Sequence, residues 1–294
     1  MFDGVMVLWF SLTAAAVVFV AIDIRRTPES PVLKWGFILL TAYTGPVGAF
    51  LYVLGCREPL PGLHERYVAA RWRQVLGSTM HCVAGDGVGI LAGATIASVL
   101  TFPRAMDIAL EYCLGFGFGW TIFQALYMRD MAGGSYWRSL KGTFIPEFLS
   151  MNFLMAAMVP VAAVGRALLV GRWSPATPAF WFVMSIALLV GFVVAYPMNW
   201  WLVSNGLKHG MMTVRPRQEG SAPRFAEGHQ EAAASVASPA AQVASTHRHD
   251  VSHEPPPSWA RIAGMGFLSL TVLGLGIWVA FEVGGAGLPA PFAG

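Results

Sequence analysis

The sequence predicts an all-α integral membrane protein with about seven transmembrane helices. Of its 294 residues, 55% are hydrophobic and only 12% are charged, whereas soluble domains carry about 25% charged residues. The mean hydropathy is +0.56, and several apolar runs exceed the ~18 residues expected of a spanning helix. A net charge of +3 is too small to indicate a nucleic-acid surface. The lipid bilayer is therefore an expected partner, and nucleic acid is not.

Seven apolar runs give the predicted spans, which are residues 5–22, 34–55, 75–101, 106–128, 146–169, 179–206 and 261–282. The first run has no basic segment before it and no clear small-residue cleavage site, so it is predicted to be a retained span. The second run contains Gly45-Pro46, a pair that is typical of a kink or a re-entrant segment. Between the sixth and seventh runs, Ala, Ser, Pro and His are frequent and large apolar residues are few, which predicts disorder.

These features divide the chain into five predicted regions. They are an N-terminal two-helix hairpin (1–55), a basic loop (56–74), a four-helix core of spans three to six (75–210), a disordered linker (211–258) and a C-terminal helix with its tail (259–294). The seventh span is expected to be a loosely tethered accessory helix. Lys and Arg are more numerous in the loops after the second, fourth and sixth spans, which predicts a cytoplasmic N-terminus. Arg25-Arg26, directly after the first span, argues for the opposite orientation.

The alternation of the spans brings polar residues of all four core helices to one level of the membrane. Cys82 and Asp86 are four residues apart on span three and share a helix face. On span five, Glu147, Met151 and Met155 form a stripe at steps of four. Acidic groups at such depths are costly unless they are partnered. Asp86 and Glu147 are therefore predicted to be functional or charge-paired.

Thioether, thiol, imidazole and carboxylate groups at one level predict a transition-metal site between spans three, five and six. Thioether and thiol ligands favour Cu(I), and imidazole also suits Cu, Zn, Fe or Ni. The predicted ligands are Met80, His81, Cys82, Met151, Met155 and His209. Asp86 and Glu147 are the predicted proton acceptors or charge partners. Glu111 lies near the opposite leaflet and is predicted to serve another part of the pathway.

Each of these residues also has a purely structural interpretation. Methionines at helical spacing are often flexible core residues, and a single buried cysteine is often a small hydrophobe. Intramembrane asparagines often join helices, and this role is predicted for Asn152, Asn199 and Asn205. His209 follows Lys208 near the interface, as a solvated helix end would. Three of the linker histidines could capture metal, although linker composition explains them better; they are His247, His249 and His253, in the run HRHDVSH.

No spacing matches a catalytic signature such as HExxH, paired CxxC or a P-loop. The cysteines are three in number, without CxxC spacing, so neither a disulfide framework nor a zinc ribbon is predicted; they are Cys56, Cys82 and Cys113. The sequence thus leans away from an enzyme without excluding one.

Four motifs, HCVAGDGVGI, EYCLGFGFGW, PEFLSMNFLMAAM and YPMNWWLVSNGLKHGM, together resemble an uncharacterised family of prokaryotic integral membrane proteins. Some members of that family are joined to multicopper-oxidase domains, so the resemblance implies a link to copper and a place in the prokaryotic cytoplasmic membrane. It covers about residues 75–215. Residues 8–57 are similar to the two-helix anchor of membrane-bound phospholipase-D-type enzymes. That similarity implies a cytoplasmic end after the second span and carries no catalytic residue.

Several functions stay open at this point. The first is binding and transport of a transition-metal ion, with Cu(I) preferred. The second is a non-enzymatic accessory subunit of a larger membrane complex; a homo-oligomer is also compatible with the sequence. The third is a membrane redox protein with haem or quinone, for which His81 and His209 are the histidines near spans; haem is the less favoured cofactor. A proton or small-solute channel through Asp86 and Glu147 is not separated from the metal hypothesis.

Overall fold

The structure is a computed structural model that describes residues 2–58, 60, 63–129, 132–169, 173–210 and 257–285. The predicted linker lies outside the described residues except for its last two positions, and His247, His249 and His253 lie outside them as well. The described residues form helices in the following order: α1 (Phe2–Asp23), α2 (Pro31–Thr44), α3 (Pro46–Gly55), α4 (His64–Val68), α5 (Arg71–Val99), α6 (Arg104–Phe118), α7 (Ala125–Tyr127), α8 (Tyr136–Leu168), α9 (Pro178–Ser204) and α10 (Trp259–Gly285). A π-helical segment, Gly119–Gln124, joins α6 to α7.

The prediction of an all-α membrane protein is confirmed. Among the described residues, five helices are long and apolar enough to span a membrane, namely α1, α5, α8, α9 and α10. The predicted second and fourth spans are also helical, but each is interrupted. Gly45 adopts φ +64° between α2 and α3, and Pro46 cannot donate a backbone hydrogen bond across the break. The fourth predicted span is interrupted by the π-helical segment.

The start of span five differs from the prediction, which placed it at Pro146. Helix α8 begins at Tyr136 instead, and Pro146 lies inside it. The Ser135 side chain accepts a hydrogen bond from the backbone N–H of Arg138 at 3.4 Å and caps this earlier start. Because proline has no backbone N–H, the carbonyl of Gly142, four residues before Pro146, lacks its usual helical donor. Gly142 lines the cavity described below.

Helix α5 contacts α2, α3, α6, α8 and α9, so it lies at the centre of the core helices. Glycines on α5 let the α6 backbone come close. A Cβ on Gly89 would lie 2.6 Å from the Gly115 nitrogen, and one on Gly85 would lie 3.0 Å from the Gly119 Cα. Small residues at this spacing are a common packing pattern between membrane helices.

Helix α10, expected to be accessory, lies along α8. Asn152 of α8 donates to the Ser269 hydroxyl of α10 at 3.0 Å and accepts from the Tyr112 hydroxyl of α6 at 2.7 Å. A Cβ on Gly276 of α10 would lie 2.7 Å from the Ala156 Cα. Asn152 thus joins three helices, the type of contact that the sequence predicts for it.

Candidate functional site

A cavity of about 510 Å³ enters the bundle at one end. It is formed by the first turns of α5, the first half of α8, α7 with the π-helical segment before it, and the turn after α9. Its polar lining consists of Ser78, His81, Gln124, Tyr127, Arg138, Ser139, Thr143, Lys208 and His209. The ends of the four core helices therefore meet at one level, which is the arrangement expected from the alternation of the spans.

Lys208 reaches the inner part of this cavity because the chain folds back after α9. The helix ends at Ser204, and Gly206 adopts φ +67°, a conformation that glycine reaches without steric cost. The backbone N–H groups of Leu207 and Lys208 both donate to the Leu202 carbonyl, at 3.0 and 3.3 Å. This C-terminal turn carries Lys208 into the bundle, where it is buried.

The Lys208 ammonium is held by groups from three helices. It donates to the Cys82 sulfur of α5 and to Asn199 Oδ1 of α9 at 2.9 Å. It also lies 3.6 Å from Glu147 Oε2 of α8. The Cys82 thiol donates to Glu147 Oε2 at 3.2 Å, and Gln124 Nε2 donates to the Cys82 sulfur at 2.7 Å.

We call these five residues, together with Asp86, the central cluster. It presents a sulfur, an amide oxygen and a carboxylate oxygen to one cation, and two of its residues, Gln124 and Lys208, line the cavity. A buried charge needs such partners, because an isolated ion in an apolar interior is strongly unfavourable.

Asp86 lies one turn beyond Cys82 on α5 and is fully buried. A Cβ on Gly119 would collide with Asp86 Oδ1 and lie 2.6 Å from Glu147 Oε1, so this glycine leaves room for two carboxyl groups to face each other. Among the described residues, neither Asp86 oxygen has a hydrogen-bond donor. A proton held between Asp86 and Glu147 would supply one. The central cluster thus places two buried carboxyl groups beside one ammonium.

The predicted methionine ligands are all fully buried in the apolar core; they are Met80, Met151 and Met155. Met151 continues from the central cluster, because it is one turn beyond Glu147 on α8. A Cβ on Gly115 would lie 2.6 Å from the Met151 methyl group, and Gly115 is one turn from Gly119. A thioether therefore lies next along the helix pair after the two acids.

The two predicted histidine ligands line the cavity. His81 Nε2 pairs with the Phe123 carbonyl at 3.1 Å, and its ring lies 4.8 Å from that of Tyr127. Among the described residues, His81 Nδ1 has no hydrogen-bond partner. His209 is the more exposed of the two. The part of its ring that is shielded from solvent lowers its pKa, because desolvation disfavours the charged imidazolium.

Glu111 lies toward the other end of the bundle, as predicted. It is buried and, with Asp107 and Arg166, lines a small cavity of about 30 Å³. Arg166 donates to Asp107 Oδ2 at 3.3 Å. Glu111 is two turns from Gly119 on the same helical run, which is ~12 Å at 1.5 Å per residue.

The two remaining asparagines differ in their contacts. Asn199 joins α9 to α8 by donating to the Ser150 hydroxyl at 2.9 Å, while its oxygen accepts from Lys208. The hydrogen bond that the structure gives Asn205 is within its own helix, from Nδ2 to the Trp201 carbonyl at 2.8 Å. It therefore stabilises the end of α9, a different role from the helix–helix contact predicted for it.

Reasoning from the sequence missed the part that Lys208 plays, since it treated this residue as an interfacial charge. The signal was present in Asn205-Gly206, because Asn and Gly directly after a helix indicate a turn that reverses the chain. The contact between Gln124 and Cys82 was not predicted either.

One further group of side chains has metal-ligand chemistry. Among the described residues, three His, Cys, Asp or Glu side chains bring ligand atoms within 4.8 Å of one another at Glu29, Cys56 and His64. We call these three residues the loop cluster. None of them was among the predicted ligands. Burial raises the pKa of Glu29 to about 8, against the opposing effects of Cys56 and Lys34.

Part of the chain is similar to a known family. Residues 71–208 match the family model described as "Domain of unknown function (DUF4396)". The matched segment begins with α5 and ends at Lys208, so it contains every residue of the central cluster and none of the loop cluster. No curated protein and no solved structure matches the chain.

Proposed function

We propose that the DUF4396 domain makes this protein a membrane permease for a cation, with Cu(I) the preferred candidate, and that the central cluster is the binding site. The observation that carries the proposal is the Lys208 ammonium, held by Cys82, Asn199 and Glu147 at the inner end of a cavity. A place that already accommodates one positive charge among a sulfur and two oxygens is suited to another cation of the same charge.

The charge balance of the central cluster favours a monovalent ion. A singly charged ion that replaces the ammonium leaves the net charge of the buried groups unchanged. A divalent ion would add a positive charge that is costly to bury, unless the site also lost a proton. Among monovalent ions, Cu(I) is the one that prefers sulfur ligands such as Cys82. Lys208 then acts as the resident cation of the empty state and moves toward the cavity when the ion binds.

A route beyond the cluster is supported by the residues next along the helices. Met151 is one turn further on α8, which is ~6 Å at 1.5 Å per residue, and offers a second soft sulfur. Glu111 follows on α6 at the small cavity of the opposite end. The ion would pass from the cavity to the carboxyl groups of Asp86 and Glu147. It would then pass to the Met151 thioether and finally to the Glu111 carboxylate.

Transport of Cu(I) into vesicles tests the proposal. Purified protein is reconstituted into proteoliposomes, and Cu(I) uptake is measured under reducing conditions. We expect Cys82→Ser and Glu147→Gln to lower uptake at least tenfold. Cys113→Ser is the matched control, because Cys113 is exposed and lies outside the central cluster. Uptake by the wild type no faster than by protein-free vesicles, or equal uptake by the wild type and Glu147→Gln, would refute the proposal.

A second candidate function is a proton-linked carrier of a small solute, and the size of the cavity favours it. About 510 Å³ is within the range of small-molecule pockets and exceeds what one ion needs. The two facing acids, Asp86 and Glu147, would hold the coupled proton. Proteoliposomes with a pH-sensitive dye inside distinguish the two candidates: solute-dependent proton movement without copper uptake favours the carrier.

A further inference from the structure

We propose that Glu29, Cys56 and His64 form a Zn²⁺ site that is separate from the central cluster. Glu29 lies in the turn between α1 and α2, Cys56 directly follows α3, and His64 begins α4. Three segments of the chain therefore bring one oxygen, one sulfur and one nitrogen ligand to a single point, outside the matched domain.

The distances within the loop cluster fit a tetrahedral ion. His64 Nε2 lies 3.4 Å from Glu29 Oε1, and the Cys56 sulfur lies 3.9 Å from the same oxygen. Zinc bonds of 2.0–2.3 Å separate neighbouring tetrahedral ligands by about 3.3–3.8 Å. These two distances exceed the tetrahedral values by no more than about 0.4 Å, and all three ligand atoms lie within 4.8 Å of one another.

The loop cluster also has unused ligand capacity. All three residues are buried, and Glu29 Oε2 has no hydrogen-bond partner among the described residues. A buried polar atom without a partner is unfavourable, and a metal ion would satisfy the carboxylate. His64 Nε2 pairs with the Cys56 carbonyl at 3.0 Å, a contact that the ion would replace.

Charge and ligand type together select Zn²⁺. Glu29 would bind the ion as the carboxylate and Cys56 as the thiolate, with their protons released to solvent, so a divalent ion with a neutral imidazole gives a neutral buried site. Mixed sulfur, nitrogen and oxygen ligands are typical of zinc, whose fourth position can be taken by water. Cu(I) would leave one negative charge uncompensated, which sets this site apart from the central cluster.

The proposed ion would fasten the segment before α5 to the N-terminal hairpin. The same region is already joined by Arg57, which donates to both carboxylate oxygens of Asp23 at 3.0 and 3.1 Å, and by the Tyr52 hydroxyl, which donates to Asp23 Oδ2 at 2.9 Å. A metal bridge from Glu29 to His64 would add a link that does not depend on salt concentration in the way that exposed ion pairs do.

Metal content of the purified full-length protein tests the proposal. The protein in detergent is stripped with a chelator, incubated with Zn²⁺, desalted and analysed for zinc. We expect about one equivalent in the wild type and in Cys82→Ser, which alters only the central cluster. We expect at least a tenfold lower content in Cys56→Ser and His64→Ala, and at least tenfold weaker binding by Glu29→Gln. Gel filtration and circular dichroism verify that each variant is folded.

A spectroscopic measurement keeps the proposal falsifiable if Cys56→Ser or His64→Ala does not fold. Co²⁺ is added to Cys82→Ser, where Cys56 is the remaining buried cysteine, and a thiolate-to-Co²⁺ charge-transfer band is expected. The isosteric Glu29→Gln, made in the same background, should weaken that band. Folded protein without the band, or with zinc content unaffected by the loop-cluster variants, would overturn the proposal. Such a result would leave the Cu(I) uptake assay unaffected, since that assay depends on the central cluster.

Discussion

A cysteine and a glutamate meet at two places in this molecule, and the third group at each place differs. In the central cluster, Cys82 and Glu147 meet the ammonium of Lys208. In the loop cluster, Cys56 and Glu29 meet an imidazole. The ammonium of Lys208 is itself a cation and occupies the place that a bound ion would take. The imidazole of His64 instead offers a lone pair that can bind a metal ion. A cysteine and a glutamate can therefore exchange a bound ion with Lys208 in the central cluster and retain a bound ion in the loop cluster.

The surroundings of the two clusters reinforce this difference. The central cluster lies at a cavity of about 510 Å³, inside the domain matched over residues 71–208. The loop cluster lies where three segments meet, outside that domain. A transported ion needs a path from solvent, such as the cavity, and a group such as the Lys208 ammonium that can replace it at the site. A structural ion needs neither of these. The four experiments below test this contrast, in order of decreasing expected effect.

The largest effect is expected from Glu147→Ala, which leaves the buried ammonium of Lys208 without its carboxylate. Removing one partner of a buried ion pair costs about 3–5 kcal/mol, so a large fall in the free energy of unfolding is expected, measured by tryptophan fluorescence. The double variant Glu147→Leu with Lys208→Met removes both charges and should recover most of the loss. If the double variant is no more stable than the single one, the ion pair does not hold the central cluster together.

The next effect is the stabilisation that Zn²⁺ should give through the loop cluster. At a free concentration one hundred times its Kd, an ion that binds only the folded protein stabilises it by about 2.7 kcal/mol. The wild type and Cys82→Ser should both show this gain in thermal unfolding with added Zn²⁺, and His64→Ala should not. Equal gains in all three proteins would show that zinc acts elsewhere, and the contrast between the two clusters would then fail.

Much of the fold could be predicted because length and apolar composition determine where a chain can cross a bilayer. The level at which the polar residues meet also followed, because spans alternate in direction whatever their absolute orientation. Helix interruptions were harder to predict. Gly45-Pro46 indicated one, but the π-helical segment after α6 has no comparable signature, and Pro146 suggested a helix start where the helix in fact continues.

The candidate site was predicted in part, and the missing part has a physical reason. Cys82, Asp86 and Glu147 could be assigned to one level by helical spacing. Lys208 could not, because a lysine just past a helix end usually extends into solvent or the interface, and only the turn at Gly206 brings it back. The loop cluster depends on contacts between three short segments, in which Glu29 is 27 residues from Cys56 and Cys56 is 8 residues from His64, and no spacing rule relates them.

A smaller effect is expected from adding one methyl group between the two acids. Gly119→Ala would push a Cβ against Asp86 and Glu147, and crowding a packed interior costs typically 1–3 kcal/mol, or about 2. Gly117→Ala is the matched control two residues earlier on the same helical run, because its Cβ would meet no atom within 4 Å. Comparing the free energies of unfolding of both variants separates the collision from the helix preference of alanine. Equal values would mean that the acids do not face each other across Gly119.

The smallest effect is expected from Tyr112→Phe, which removes one hydrogen bond to Asn152 at 2.7 Å outside both clusters. Interhelical hydrogen bonds in membranes contribute about 0.6 kcal/mol on average, so the unfolding free energy should fall by about that amount. Cu(I) uptake and zinc content should equal those of the wild type. This variant measures what a polar contact is worth when it only joins helices. If its cost equals that of Glu147→Ala, the charges of the central cluster add nothing beyond ordinary packing, and the functional distinction between the two clusters loses its energetic basis.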